Sequence, residues 1–251
     1  MKASTISLKI LKGIGIFSFW LGVWYLAATL IDKEIFLPYP HTVALRFLTL
    51  SGTADFWTTV IASLARILRG FIYGVVLGGV IALLTHYIPL ARGLISPFIR
   101  MVRAVPVASF TLLLFLWLDN DMIPVFIALL MVAPIIWENL SAGLSAMDKG
   151  LIEMAKVYRI PRGKTLKKII FPSLVPYLYS GMLTSLGLAW KSGIAAEVIS
   201  YPSVAIGKAL GEAKTYLETA DVFVWTAVVI LLSLSFEAII RLLFKKKRKK
   251  V

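Results

Sequence analysis

The chain has 251 residues, is 59% hydrophobic and only 16% charged, and has a mean hydropathy of +0.86. Soluble domains are nearer one quarter charged, so a water-soluble globule is excluded and an all-α polytopic membrane protein is indicated. There is no cysteine, which excludes disulfides, thiolate metal sites, cysteine catalysis and a lipid anchor on cysteine; the net charge of +14 lies in short tracts between apolar blocks, as on a membrane protein rather than a nucleic-acid-binding one.

Six stretches come near the roughly 17–25 residues a helix needs to cross hydrocarbon. They are predicted at about 13–31, 67–84, 99–118, 122–137, 174–198 and 222–244, the second as the end of a longer helix starting near Phe56. Lys2, Lys9 and Lys12 precede the first. Its apolar run is longer than a signal-peptide core and holds Trp20, Trp24 and Tyr25, so it reads as a retained helix. In the next connection, "DKEIFLPYPHTVALRFLTLSGTADFW", Pro38 and Pro40 force extended backbone, and residues 41–50 read as a short interfacial helix. "DND" joins the third and fourth spans in a tight hairpin. The chain thus divides into an N-terminal span with its outer segment (1–57), a five-span core (58–244) with a loop at about 141–171, and a basic tail (245–251) that abuts a span and suits anionic lipid.

Basic residues orient the chain. With both termini in the cytoplasm, twenty of the 27 Lys and Arg fall inside and only Lys33, Arg46, Lys208 and Lys214 outside. The positive-inside rule therefore predicts N-in and C-in.

The loop is the longest cytoplasmic connection. Leu151, Met154, Ala155 and Tyr158 recur at i, i+3, i+4, i+7 as one apolar stripe, and Pro161 is expected to end that helix. A second amphipathic piece follows, with Leu166, Ile169 and Ile170 opposite Lys164, Lys167 and Lys168. Periodicity leaves two readings open: helices resting on anionic lipid, or a helix entering a groove on a soluble partner.

The segment "KGLIEMAKVYRIPRGKTLKKIIFP" resembles the EAA loop of permease subunits of bacterial ABC importers. Glu153 and Ala155 match its first and third positions, and Ile169 or Ile170 with Pro172 its end. Met154 replaces the middle Ala, and Arg159 stands where the family has Gly. The turn is therefore expected from Pro161 and Gly163 instead. "FLPYPHTV", "SPFIRMVRAVPVASFTLLLFLWL" and "GLAWKSGIAAEVI" are similar to the nitrate/sulfonate/taurine branch. The resemblance implies a six-span type I importer permease fold in the bacterial cytoplasmic (inner) membrane. It implies a coupling helix docked on an ATPase, with Leu151, Glu153, Met154, Ala155, Tyr158, Arg159 and Gly163 in that contact. The implied partners are two ATPase subunits, a second permease copy (usually identical) and an extracytoplasmic binding protein. ATP and Mg would sit on the ATPase, since this chain has no GxxxxGK[ST] and is expected to hold no cofactor of its own.

Charged groups inside spans cost about 2.5–3.5 kcal/mol each on insertion scales, so each needs a reason. Lys191 lies deep in the fifth span and is the first candidate for a substrate pathway, with Trp190, Glu197, Arg66 and Arg69 as weaker ones. Glu138 and Glu237 are alternative partners for Lys191. Gly181, Gly187 and Gly193 suit close helix packing. A cationic path favours an anion such as a sulfonate, while the same branch also includes carriers of vitamin precursors. The alternative function is a stand-alone secondary transporter or channel. Paired intramembrane carboxylates or helices broken at matched repeat positions would mark that reading, and neither is evident. An intramembrane enzyme is disfavoured because His41 and His86 are distant and no nucleophile–base pair is visible.

Overall fold

In a computed structural model of the chain the backbone is described for residues 2–248, and the side chains for those residues except 2–10, 149, 162, 243 and 245–248. The expected basic tail at 245–251 therefore lies outside the described side chains. All regular structure among the described residues is helical. The chain forms two compact units, one running to Thr58 and taking in Ala209–Val228, the other comprising Thr59–Lys208 and the chain from Val229.

The first unit contains α1 (Lys2–Ile31) and α2 (Pro40–Ser51). Tyr39 is extended and Pro40 opens α2, as the two prolines predicted. Aromatic side chains tie the unit together. Trp24 stacks on Phe223 at 5.5 Å and donates its indole N–H to the Pro38 carbonyl at 3.1 Å. Tyr25, Tyr39 and His41 form a ring cluster, so His41 packs among aromatic side chains there. Arg46 binds the Asp221 carboxylate with both Nε and an Nη, the latter at 2.8 Å. That hydrogen bond raises the Arg46 pKa above its ordinary value.

The second unit is built around α6 (Ile123–Ser145). Its buried residues lie all round the helix, including Ile127, Val132, Ile136 and Leu140. Such a helix is interior to its bundle. On one side lies α3 (Ala54–Tyr87), approaching along Gly70, Gly74 and Gly78. A Cβ on Gly74 would stand 2.6 Å from the Val132 Cβ, and one on Gly78 would overlap the Ala133 carbonyl. This G-x-x-x-G-x-x-x-G row, not singled out in the sequence, lets the two backbones close up. On another side lies α9 (Phe171–Ser200). Of the glycines expected to serve packing, Gly181 meets Ile136 and Asn139, and Gly193 meets Ile67. Gly187 has nothing within 4 Å and faces outward.

Two spans depart from expectation. The predicted third span is not one helix. α4 (Pro89–Ala104) and α5 (Val107–Leu114) meet at 104°, broken at Val105 and Pro106. Pro106 cannot continue a helix and holds the preceding residue extended. Among the described residues five helices are long and apolar enough to cross a membrane, or six if the bent pair counts as one. The predicted fifth span begins earlier than Leu174. Helix α8 (Arg162–Thr165), a π-helical turn at Leu166–Ile170 and α9 run on without a break, so the second amphipathic piece of the loop is the foot of that span. Pro172 lies inside this continuous helix, directly after the π-helical turn. Helices α10 (Ile206–Thr215) and α11 (Thr219–Arg248) complete the chain.

Candidate functional site

The loop between α6 and α9 carries α7 (Lys149–Val157). Asp148 caps it, its side chain accepting from the Gly150 N–H at 2.8 Å. The predicted stripe divides in two. Ala155 is buried, so it fastens α7 to the chain. Leu151, Met154, Val157 and Tyr158 remain uncovered, with Glu153 beside them. Their spacing puts them together along one side of the helix.

The end of α7 corrects the expected turn. Arg159 itself takes the left-handed conformation, with φ 49°. The Ile160 N–H reaches the Ala155 carbonyl at 2.9 Å, and the Arg159 N–H reaches Lys156 O at 3.0 Å. These are the paired bonds of a Schellman motif. Pro161 does not end α7; it precedes α8, accepting from the Lys164 and Thr165 N–H groups. Gly163 lies inside α8 with open space around it and is not part of the turn. The position where the resembling family has Gly thus keeps the conformation Gly would favour, held by arginine.

A second polar site lies at the Ser200 end of α9. Glu197 is fully buried. Its Oε2 accepts from Ser63 Oγ at 2.7 Å and from the Gly207 N–H at 3.1 Å, and its Oε1 from Arg66 at 3.1 Å. Arg66 also binds Asp121 at 2.7 Å and the Val204 carbonyl at 2.8 Å. Ser63 Oγ accepts from the Ile206 N–H at 2.8 Å. Each acid and donor in this cluster is satisfied, as a buried charge requires, and breaking such a group by removing one partner costs about 3–5 kcal/mol. Gly207 is required by close approach, because its Cβ would overlap that of Glu197. Tyr201, with φ 50°, ends α9 and turns the chain back over this cluster.

The five pathway candidates therefore separate. Arg66 and Glu197 neutralise one another inside the unit. Trp190 is buried, 6.0 Å from the Phe236 ring, with no partner for its indole N–H among the described residues. Lys191 and Arg69 are exposed, with no hydrogen bond or ion pair to any described residue. Glu138 and Glu237 are bound to Arg103 and Arg241, so neither serves Lys191. The uncovered face of α9 carries Ser180, Thr184, Leu188, Lys191, Ala195 and Val198. Sequence reasoning missed Ser63, Asp121 and Gly207. A signal was present, since a carboxylate at Glu197 in a span demands partners and Ser63 and Arg66 share one face of α3. Nothing local identified which helix supplied them.

Residues 74–249 match the family model described as "Binding-protein-dependent transport system inner membrane component". The chain belongs to that family. It is 27% identical over 251 residues to the taurine transport system permease protein TauC of Escherichia coli (strain K12), covering 96% of this chain and 90% of the relative. It is 26% identical over 239 residues to the putative aliphatic sulfonates transport permease protein SsuC of Bacillus subtilis (strain 168), covering 94% and 86%. A 153-residue match, 27% identical and covering 61% of this chain and 55% of the relative, links it to the bicarbonate transport system permease protein CmpB of Synechococcus elongatus (strain ATCC 33912 / PCC 7942 / FACHB-805). Its fold is shared with a solved chain from the "Crystal structure of an amino acid ABC transporter with histidines", at a TM-score of 0.65, 19% identity and coverage of 80% of this chain and 98% of that one. This binding-protein-dependent permease is accordingly a multi-pass inner-membrane transport subunit, not an enzyme. Membership implies work alongside a binding protein.

Proposed function

We propose that this permease is the membrane half of an ATP-driven importer of a small organic or inorganic anion. Two copies would enclose the path, and each would be driven through α7 by a cytoplasmic ATPase that holds the ATP and Mg. An extracytoplasmic binding protein delivers the substrate. The names of the relatives, taurine, aliphatic sulfonates and bicarbonate, share a small anionic group and motivate the substrate class. A vitamin precursor is the other class of small solute to screen. The orientation adopted is N-in and C-in, from the basic residues.

The observation that carries the coupling reading is the uncovered apolar face of α7, Leu151, Met154, Val157 and Tyr158, on a helix fastened by Ala155. An apolar helix face of this kind suits a groove on a partner. Glu153 and Arg159 flank it as polar contacts, and Gly163 keeps α8 slim beside it.

The decisive measurement is co-purification of the ATPase with the permease. Met154→Asp, Tyr158→Ala and Glu153→Lys should each reduce the ATPase recovered while leaving membrane insertion unchanged. ATPase recovery at the parent level with all three would remove α7 from the contact. Ala155→Trp should act differently, by displacing α7 from its own chain.

A further inference from the structure

Helix α4 has three faces. At 100° per residue, Leu90, Leu94, Phe98 and Met101 gather on one side, Ile95, Ile99 and Val102 on the next, and Arg92, Arg100 and Arg103 on a third. Ile99 and Val102 are buried, and α4 packs on α6. The first side is bare: Leu90 is 74% exposed, Leu94 70%, Phe98 58% and Met101 56%. The basic side lies about 160° from it around the helix. Arg103 is paired with Glu138, Arg100 reaches only the Ser96 carbonyl of its own helix at 3.4 Å, and Arg92 is exposed.

The bend gives this pattern a direction. α5, "VASFTLLL", is apolar and packs on α9 and α6, so it belongs in hydrocarbon. At 104° to it, α4 cannot also run along the membrane normal. A helix with apolar and basic faces on opposite sides, lying across the normal, matches an interfacial helix with its apolar side among acyl chains. We propose that α4 is an in-plane helix that binds anionic phospholipid headgroups through Arg92 and Arg100, and so anchors the start of α5 at the bilayer surface. The partner is the membrane leaflet, because two unneutralised guanidinium groups beside an apolar face complement a phosphodiester surface. The inference stands apart from the proposed coupling and substrate.

The absence of cysteine allows single-site labelling of the full chain. Spin labels on Leu94→Cys and on Ser96→Cys would be compared in vesicles of phosphatidylglycerol and phosphatidylcholine. The Leu94 label is expected to be relaxed by oxygen and shielded from an aqueous nickel chelate, and the Ser96 label the reverse. In the same vesicles R92Q and R100Q together should reduce the retention of phosphatidylglycerol over phosphatidylcholine, by about fivefold per arginine. A Leu94 label open to the chelate would place α4 in water, free for a soluble partner, and overturn the proposal. Dipolar coupling between Leu94 labels of two chains would show a second copy covering the face, and would overturn it too. So would an unchanged lipid preference in the double variant.

Discussion

At Arg159 the backbone is left-handed although the residue carries a Cβ and a long side chain. An L-residue pays roughly 1–2 kcal/mol for that conformation, because Cβ crowds the following carbonyl. The Schellman bonds from Ile160 and Arg159 hold it there. The side chain is exposed and makes no hydrogen bond among the described residues, so its loss removes no hydrogen bond or ion pair there. Arg159→Gly is therefore expected to stabilise the chain by about 1 kcal/mol, less Gly's greater freedom when unfolded. Thermal unfolding of the detergent-solubilised permease would measure it, and an unchanged or lower midpoint would contradict it. This residue also shows what a motif can and cannot convey. Its alignment with the family's Gly was legible, whereas the conformation was assigned to the wrong residues. Pro161 and Gly163 are the commoner turn formers, and only the bonding around residue 159 decides which position turns.

At the scale of helices, apolar length revealed five elements, but three of them run on past their apolar stretch: α1 begins at Lys2, α6 continues to Ser145, and a polar foot extends α9. Pairing was less legible. The glycine row of α3 sits among ordinary membrane residues, and Gly78 and Gly79 are adjacent, so composition cannot tell which faces α6. The structure distinguishes them: a Cβ on Gly78 overlaps backbone, while one on Gly79 finds its nearest atom, Leu140 Cδ1, at 3.7 Å. Gly78→Ala should push α3 and α6 apart and reduce the yield of folded permease, at a cost of about 1–3 kcal/mol for an overpacked contact. Gly79→Ala should be tolerated. Size-exclusion recovery of the two variants checks the pair, and equal recovery would mean that α3 does not approach α6 along Gly78. The bent α4–α5 pair failed as a single predicted span for a related reason. Hydropathy counts apolar residues but cannot see that Val105 and Pro106 turn the chain.

At the scale of the whole permease, most intramembrane charges are neutralised within the chain. Arg66, Glu197 and Asp121 share one cluster, Arg103 holds Glu138, and Arg241 holds Glu237. Lys191 stands outside this accounting. It lies on an uncovered face of α9 that also presents Ser180 and Thr184, and Gly187 leaves a gap beside it. A lone ammonium in hydrocarbon is costly, so this face suits water and a partner copy better than lipid. Lys191→Met is expected to lower uptake of an anionic substrate by an order of magnitude or so, the range of one lost charge contact. Uptake by the assembled importer, with substrate affinity of the binding protein measured in parallel, tests it. Unchanged uptake would remove Lys191 from the path.

The sequence by itself determined that this is an apolar, helical, multi-span protein, and its motifs pointed to the importer permeases. Those properties follow from composition and local periodicity, which a single chain displays without being folded. Only the tertiary structure decided that Arg66 and Glu197 answer each other while Lys191 does not, that Ala155 faces inward while Met154 and Tyr158 face outward, and that residues 89–114 bend instead of spanning straight. Each of these depends on which distant backbone stands opposite a side chain. Burial and ion pairing are properties of that neighbour as much as of the residue, and no local pattern contains it.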